Sequence, residues 1–390
     1  MNNSNLTVLY VCDNWPVCGA AFSVLGILGE MRKKGVNVVV AVNGKDYFYQ
    51  RVKEMGVKVY VIPFSRMAVP NETSNIEISL RKLPRKIKKI YSDYQFEKML
   101  AIEKIDIVHF STVTIDGGFD VFHSNNIPII WHIREFLEED LNWRFRDHKK
   151  SIQQLESSDV IITVSNQVKE KYEKIVKNNN IKTIYNGIET TNYKTIKKLK
   201  NSDIYIGMIG TIKEEKGQIE LLRAFTNLRF IDKKIHLIFV GKFDPVSIKY
   251  HSKLQKIVDK NNLCDVVEFR GQKTDIQSIW EDIDIAVVPS WVEAFGRVTV
   301  EAILAKCFVV GANTGGTKEI LDYLDTGIQF KAKDVDDLSK KLRLAVMEIS
   351  NSDINIDIPY EKALTTFSVS ENANNIFDIY KKICTRGGGY

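Results

Sequence analysis

The sequence lacks long apolar runs and is poor in cysteine and proline, with five and eight respectively among 390 residues. No stretch approaches the ~20 apolar residues of a bilayer-spanning helix, so no transmembrane segment is predicted. The cysteines are odd in number and irregularly spaced, which argues against a disulfide framework and against a cysteine metal site. The N-terminus shows neither the basic region nor the long apolar core of a signal peptide, so we expect a cytoplasmic protein.

Two common phosphate-binding patterns are absent as well. The P-loop pattern GxxxxGK[ST] does not occur, and GxGxxG does not follow the first predicted strand, which argues against a plain dinucleotide-binding fold. The apolar share of 44% and the charged share of 27% are ordinary for a globular protein. Because 390 residues exceed what one hydrophobic core usually serves, two domains are predicted.

Acidic side chains are in deficit in the first half of the chain, where residues 1–200 carry 30 bases and 22 acids. The densest basic run has no acid and six bases: Arg81, Lys82, Arg85, Lys86, Lys88 and Lys89. Apolar residues interleave with them, which is typical of a helix at an anionic membrane surface, although Pro84 is expected to weaken an unbroken helix. A solvated loop and helix face explains the run equally well. Nucleic-acid binding rests on charge alone, and we expect no such partner.

Short apolar segments alternate with helical ones along the whole chain. In the first half, strands are predicted at 6–11, 36–42, 57–62, 105–110, 128–133 and 160–164, with a helix at 20–34 that Gly35 ends. In the second half, strands are predicted at 204–209, 235–240, 266–270, 283–289 and 308–311, with a helix at 217–228. This alternation predicts α/β architecture, with two doubly wound domains at 1–195 and 196–390. The sequence pattern does not show which domain the last helix, at about 370–383, packs against, and the first domain is one possibility.

Doubly wound sheets bind ligands at the carboxyl ends of their strands, so we expect the active site in a cleft between two facing domains. Three loops of the second half follow strands and open helices, at 210–217, 290–302 and 313–320. Helix-start amides and nearby lysines favour anions, carboxylates accept pairs of sugar hydroxyls, and glycines allow close backbone approach to a ligand. Each loop alone has a plain structural explanation, but three on one sheet edge favour a ligand site.

These loops resemble the donor domain of glycosyltransferase family 4, the retaining GT-B enzymes found in bacterial cell-surface polysaccharide and glycolipid synthesis. The resembling segments are Gly210 through Lys216-Gly217, Glu293-x7-Glu301 with Phe295-Gly296 between, and Gly315-Gly316-x-x-Glu319. In the first half, Cys18-Gly19-Ala20 and Trp131-His132-Ile133-Arg134-Glu135 stand where the family has a glycine-rich loop and a histidine at a strand end.

The resemblance implies retaining transfer of a sugar from a nucleotide-sugar to a hydroxyl of a glycan, lipid-linked or protein-linked acceptor. UDP is the expected carrier on family frequency, and neither a metal nor another cofactor is expected. The implied catalytic residues are His132 and Glu293. The implied donor-binding residues are Gly19, Gly210, Thr211, Lys213, Lys216, Phe295, Gly296, Arg297, Glu301, Gly315 and Gly316. Arg134 joins the six bases of the basic run as a candidate for acceptor contact or for docking on the inner membrane face.

Two positions depart from the family pattern: Thr211 stands where an arginine is usual, and Ala20 where a second glycine is usual. Thr211 keeps open a non-catalytic GT-B protein that binds a nucleotide-sugar or partners another glycosyltransferase. A GT-B epimerase or phosphorylase is a further alternative, which the Glu293-x7-Glu301 pattern disfavours. For His132, the alternative is a core histidine at a strand end.

Overall fold

A computed structural model describes residues 6–178, 180–193, 203–228, 235–243, 248–273, 275–351 and 356–386. The chain divides into two compact units. Unit 1 combines Met1–Gly187 with Val369–Tyr390, and unit 2 is Ile188–Ser368. The boundary predicted between residues 195 and 196 lies outside the described residues, and unit 2 begins earlier in the chain.

Unit 1 contains a parallel sheet, a short antiparallel pair of strands and flanking helices. Its strands are β1 (Thr7–Cys12), β2 (Asn37–Val42), β3 (Lys58–Val61), β4 (Ala68–Pro70), β5 (Ile107–Phe110), β6 (Ile129–Ile133), β7 (Trp143–Phe145), β8 (Val160–Thr163) and β9 (Ile181–Thr183). Its helices are α1 (Gly19–Lys33), α2 (Tyr47–Glu54), α3 (Asn75–Leu80), α4 (Lys82–Ile102), α5 (Phe119–Ser124), α6 (Glu138–Leu141), α7 (His148–Glu156) and α8 (Asn166–Glu173), and the helix Val369–Arg386 completes the unit. The parallel sheet has the order β3-β2-β1-β5-β6-β8-β9, and β4 pairs with β7.

The central strands of unit 1 are buried along their whole length, as the apolar runs predict for a parallel sheet covered on both faces. Helix α1 ends at Lys33, and Gly35 has a φ of 80°, the left-handed conformation that ends many helices.

The expectation that Pro84 weakens the helix in the basic run is wrong, because α4 runs unbroken from Lys82 to Ile102. Pro84 lies in the first turn of α4, where the backbone N–H that proline lacks would have no partner within the helix. The basic run is therefore helical.

Unit 2 repeats the same architecture with a six-stranded parallel sheet. Its strands are β10 (Ile204–Ile209), β11 (Ile235–Val240), β12 (Val267–Phe269), β13 (Ile285–Val288), β14 (Phe308–Ala312) and β15 (Ile328–Phe330). Its helices are α9 (Gln218–Thr226), α10 (Ile248–Lys260), α11 (Ile276–Trp280), α12 (Arg297–Leu304), α13 (Gly315–Leu324), α14 (Val335–Asn351) and α15 (Asp357–Thr366). The strand order is β12-β11-β10-β13-β14-β15. The two parallel sheets with their helices confirm the predicted α/β fold of two Rossmann-like units.

The helix Val369–Arg386, here α16, belongs to unit 1 although unit 2 separates it from the rest of that unit in sequence. Ala373, Ile376 and Tyr380 of α16 are buried in one apolar cluster with residues of β1 and α1. Among the described residues, no helix has both the length and the apolar character needed to cross a membrane.

Candidate active site

In unit 2, the strands β10, β13 and β14 are neighbours, so the loops that follow them meet at the carboxyl edge of the sheet. The backbone N–H of Trp291 donates to the carbonyl oxygen of Glu215 at 2.9 Å, and the N–H of Gly316 donates to the carbonyl of Glu293 at 2.6 Å. The Lys216 ammonium also forms an ion pair with the Glu293 carboxylate. Glu293 therefore contacts both of the other loops.

Glu293 is held ionised by its surroundings. Burial favours the neutral carboxyl, but the positive charge of Lys216 and its hydrogen bond outweigh burial and lower the pKa of Glu293 below its ordinary value. The Glu293 side chain is 21% exposed, and that of Lys216 is 25% exposed. The pair thus has one charge of each sign within reach of a ligand.

A second acid–base pair lies on one face of α12. Arg297 Nε donates to Glu301 Oε1 at 2.7 Å across one helical turn. Glu301 is buried, and burial raises its pKa more than the Arg297 charge lowers it. Gly296, which precedes this helix, has a φ of 87° that favours glycine.

The glycines of the third loop allow it to pack closely against the second loop. Gly315 has a φ of 59°, and a Cβ atom on Gly316 would lie 1.9 Å from the carbonyl oxygen of Phe295. Both glycines are therefore required where these two loops meet. The Gly316 N–H is also occupied by Glu293, so it is not available to a diphosphate.

Four further predicted donor-binding residues are placed as follows. The Phe295 ring is buried 5.9 Å from the Phe367 ring, so its side chain is part of the core. The N–H of Gly210 donates to a carbonyl of β11, while Thr211 is exposed. Lys213 lies 3.8 Å from the Glu215 carboxylate. The loop thus offers Lys213 and Lys216 as cations, and Thr211 adds no charge.

In unit 1, His132 is fully buried at the end of β6. Its Nδ1 lies 3.2 Å from both Arg134 Nη2 and His109 Nε2. A guanidinium can only donate, so His132 Nδ1 must accept and its proton must be on Nε2. Burial and the Arg134 charge lower the pKa of His132 well below its ordinary value, which keeps the ring neutral.

The same logic extends through a buried chain of hydrogen bonds. His109 Nε2 must donate to His132, so His109 Nδ1 accepts, and its partner is the Tyr380 hydroxyl at 2.6 Å. Tyr380 then accepts from the Tyr10 hydroxyl at 2.7 Å. Burial, with the Arg134 charge, lowers the pKa of His109 to about 3. The buried chain thus runs from His132 through His109 and Tyr380 of α16 to Tyr10 of β1, and it requires the Nε2–H tautomer of His109.

The Nε2 atom of His132 is buried, and no hydrogen-bond acceptor for it occurs within the described part of the chain. An unpaired buried donor costs about 1–3 kcal/mol, so this N–H favours a ligand that accepts a hydrogen bond. The alternative of an internally satisfied core histidine is therefore disfavoured.

Arg134 does not belong with the surface bases with which the sequence analysis grouped it. Its guanidinium is buried and donates to the Ser111 carbonyl, to Asn186 Oδ1 and to His132. It therefore cannot contact a membrane, and it orients His132. Gly19, by contrast, is the first residue of α1, the helix that follows β1 after a loop at the carboxyl edge of the sheet.

Two carboxylates lie at this edge: buried Asp13, which was missed in the sequence, and half-buried Glu135, which belongs to the motif around His132. Asp13, after β1, accepts from Asn43 Nδ2 at 3.1 Å, Arg66 Nε at 2.6 Å and Thr114 Oγ1 at 3.3 Å. Glu135, after β6, accepts from Thr112 Oγ1 at 2.8 Å, and burial raises its pKa to about 7. Asp13 directly follows β1, and this position at the carboxyl end of a parallel strand was the signal that could have found it.

His109 was assigned a structural role by the sequence analysis, yet it contacts His132. In the paired strands His109 lies opposite Ile130, two residues before His132, so both rings lie on one face of the sheet. This parity could have suggested the contact once the strands were aligned. Within the described ranges, no group of three or more His, Cys, Asp or Glu side chains is arranged to hold a metal ion.

Comparison with known proteins agrees with this architecture. Residues 17–192 match the family model described as Glycosyltransferase Family 4, and residues 189–351 match Glycosyl transferases group 1. An uncharacterized glycosyltransferase of Methanocaldococcus jannaschii, MJ1607, is 24% identical over 62% of this chain and 66% of its own length. The capsular polysaccharide biosynthesis glycosyltransferase CapH of Staphylococcus aureus is 25% identical over 66% of this chain and 73% of that protein.

The crystal structure of Anabaena Alr3699/HepE in complex with UDP superposes with a TM-score of 0.78 at 19% identity, covering 97% of this chain and 100% of that one.

The match with MJ1607 spans just under two thirds of that relative. The two family models together extend from residue 17 to residue 351. The chain therefore belongs to the glycosyltransferases of family 4 and group 1.

Proposed function

We propose that the protein is a retaining, metal-independent glycosyltransferase that moves a sugar from a nucleotide-sugar to an acceptor hydroxyl. The observation that carries the proposal is the pair of carboxylate–cation contacts, Lys216 with Glu293 and Arg297 with Glu301, at one edge of the unit 2 sheet. A ligand carrying both sugar hydroxyls and a diphosphate matches both signs of charge. HepE, which shares the fold, was crystallised with UDP, and this supports UDP as the carrier.

Each member of the two pairs has a distinct role in this proposal. The Glu301 carboxylate accepts hydrogen bonds from the ribose hydroxyls, and Glu293 accepts them from the donor sugar. Lys216 and Arg297 turn towards the diphosphate, with Lys213 beside them. His132 donates its Nε2–H to a sugar hydroxyl, for which the buried hydrogen-bond chain holds it ready.

The transferring step breaks the bond between the sugar C1 and the diphosphate oxygen and forms a bond from C1 to the acceptor oxygen. Negative charge grows on the leaving phosphate, and preorganised cations stabilise that charge without rearranging. The acceptor hydroxyl attacks from the leaving-group face, and its proton passes to the departing phosphate. The configuration at C1 is retained.

The binding half of this proposal is tested by calorimetric titration with UDP, GDP, ADP and dTDP in EDTA. We expect one nucleotide, UDP, to bind the wild type. Glu301→Ala should weaken it by about tenfold or more, since hydrogen bonds to charged groups contribute about 1.5–3 kcal/mol. Glu361→Gln, an exposed glutamate of α15, is the matched control and should leave binding unchanged.

No binding by any of the four nucleotides would contradict the donor site. The catalytic half is tested by following hydrolysis or transfer of UDP-sugars by NMR, which also identifies the anomer formed. Binding without turnover would support the alternative of a non-catalytic protein that Thr211 leaves open, and an inverted product or a requirement for metal would contradict the mechanism.

We also propose that α3 and α4 rest on an anionic membrane surface. Leu80, Leu83, Ile87 and Ile90 are between 61% and 76% exposed. Lys82, Lys86 and Lys88 are exposed beside them, so apolar and cationic groups share the surface. Such a surface fits a lipid-linked acceptor.

The membrane proposal is tested by co-sedimentation with vesicles of phosphatidylglycerol and phosphatidylcholine. Leu83→Gln with Ile87→Gln should reduce binding several-fold, whereas Leu344→Gln with Met347→Gln, an exposed apolar pair in α14, should not. Equal binding by both double variants would contradict the proposed surface.

A further inference from the structure

Unit 1 contains a cavity of about 760 Å³ with walls formed by α3, the start of α4 and the loops after β3, β5 and β7. Its lining is strongly basic. The cationic side chains that line it are Lys82, Arg85, Lys86, Lys89, Arg146 and Lys150. A concave site with this many bases is suited to a multiply charged anion.

Acidic residues offset only part of this charge. Lys89 forms ion pairs with Asp93 and Asp120, and Asp120 also lies 3.7 Å from Lys150. Asp147 caps α7 by accepting from the Lys150 N–H at 3.1 Å. Asp116 accepts from Gln154 Nε2 at 3.4 Å, and burial raises its pKa, which disfavours its charge. The cavity therefore has an excess of positive charge.

Two arginines of the cavity are anchored through main-chain carbonyls. Arg85 Nη1 donates to the carbonyl of Ile78 at 3.0 Å, and Arg146 Nη1 donates to that of Arg66 at 2.6 Å. Burial and the nearby charge of Arg146 lower the pKa of Arg85. Because the two guanidinium groups repel each other, an anion bound between them is attracted to both. Each guanidinium also offers paired N–H donors to phosphate oxygens.

The cavity lies close to the sheet edge that carries the candidate active-site residues of unit 1. Asp116, in its wall, belongs to the loop after β5, the strand next to β6 and His132. Arg66, which anchors Arg146 through its carbonyl, bonds to Asp13 through its side chain. Thr114 also bonds to Asp13, so hydrogen bonds connect the cavity region with the carboxyl ends of the strands.

We infer that this cavity binds the phosphate or diphosphate group of the glycosyl acceptor, so that the acceptor is a phosphorylated glycan carrier rather than a neutral sugar. The inference rests on the proposed function, because only a glycosyltransferase needs an acceptor at this edge. The exposed apolar side chains of α4, Leu83 and Ile87, lie next to the basic lining. They suit the hydrocarbon chain of a lipid diphosphate.

The test uses lysine acetylation, read residue by residue by mass spectrometry, on the full chain. Inorganic pyrophosphate and geranyl diphosphate are the probes, and each should protect Lys82 and Lys86 in the cavity. Lys98 of the same helix is exposed and outside the lining, so it should stay reactive. Acetylation of Lys216, measured in the same experiment, shows whether a probe binds at the unit 2 site instead.

Arg85→Gln with Arg146→Gln should raise the probe concentration needed for half protection about tenfold or more, which corresponds to the loss of charge-assisted hydrogen bonds. If the double variant is unstable, Arg85→Gln alone is used, and Lys98→Gln, an exposed lysine of α4 outside the lining, is the matched control. Stronger protection by geranyl diphosphate than by pyrophosphate identifies a lipid carrier, and equal protection identifies a soluble phosphate.

The outcomes separate this inference from the proposed function. Cavity lysines that stay reactive while UDP binds would overturn the inference and leave the donor site standing. Protection that survives in the arginine variants would also overturn it. Failure of UDP to bind, with cavity protection intact and sensitive to the arginines, would contradict the proposed function while supporting an anion site here.

Discussion

Replacing Tyr380 with phenylalanine tests whether the buried hydrogen-bond chain controls His132. The variant removes one hydroxyl that donates to His109 Nδ1 at 2.6 Å and accepts from the Tyr10 hydroxyl at 2.7 Å. The aromatic ring, which is fully buried, keeps its packing. The change is therefore almost purely one of hydrogen bonding.

The expected magnitude follows from the groups left behind. His109 Nδ1 and the Tyr10 hydroxyl both lose a partner in the core, and an unpaired buried polar group costs about 1–3 kcal/mol. We therefore expect Tyr380→Phe to lower the free energy of unfolding by about 2–6 kcal/mol. Without the Tyr380 hydroxyl, the His109 proton can also move from Nε2 to Nδ1. The lone pair on His109 Nε2 would then face the lone pair on His132 Nδ1, and the two would repel each other.

The assay is NMR of protein containing ¹⁵N-labelled histidine, which distinguishes Nδ1–H from Nε2–H tautomers. The chain has six histidines, so the spectrum is small enough to assign by single substitutions. In the wild type, His109 and His132 should both be neutral Nε2–H tautomers at pH 6. In Tyr380→Phe, His109 should shift towards Nδ1–H, and turnover should fall about fivefold if the lost hydrogen bond is worth about 1 kcal/mol.

Tyr250→Phe is the matched control, because its buried hydroxyl accepts from the Ile219 N–H at 3.1 Å and donates to Gln218 at 3.3 Å in unit 2. It should lose comparable stability and leave the His109 and His132 signals unchanged. An Nδ1–H tautomer for His132 in the wild type would refute the reasoning outright. Histidine signals that do not respond to Tyr380→Phe would show that α16 has no part in setting the tautomer.

Three other changes have expected results. Because the pKa of Glu135 rises from 4.5 to about 7, the stability it gives is full below pH 4.5 and is lost as pH rises through 7. Wild-type Tm should therefore fall between pH 5 and 8 relative to Glu135→Gln, and parallel curves would contradict this. Gly316→Ala should cost about 1–3 kcal/mol in urea titrations, because its Cβ meets the Phe295 carbonyl; a value near zero would show that the loops relax freely. Pro84→Ala should change stability by less than about 0.5 kcal/mol and leave the far-UV CD unchanged, whereas a clear gain in helicity would show that Pro84 does strain α4.

Most strands and the helix-ending role of Gly35 were predictable because each depends on residues close in sequence. The short strands β4, β7, β9 and β15 were not predicted, since each has only three residues and gives a weak pattern. The partners of the site were not, since Lys216 and Glu293 are 77 residues apart and His109 and Tyr380 are 271 apart. A local pattern cannot tell which loops pack together.

Pro84 shows a related limit of pattern alone. Its effect depends on where the helix begins, and that is decided by the preceding helix α3, which ends at Leu80. The glycines at 315 and 316 were recognised in the sequence, but their close contact with the loop at 293–295 was not.

The position of α16 bears on how the protein is made. Unit 2 is inserted between Gly187 and Val369, so the ribosome completes all of unit 2 before it synthesises the helix that completes unit 1. A nascent chain released after residue 187 would leave the apolar surface of α1 uncovered. It would also lack the Tyr380 hydroxyl, which fixes the tautomer of His109. Unit 1 should therefore fold after unit 2 during synthesis, and it can be produced alone only if α16 is joined back to it through a linker.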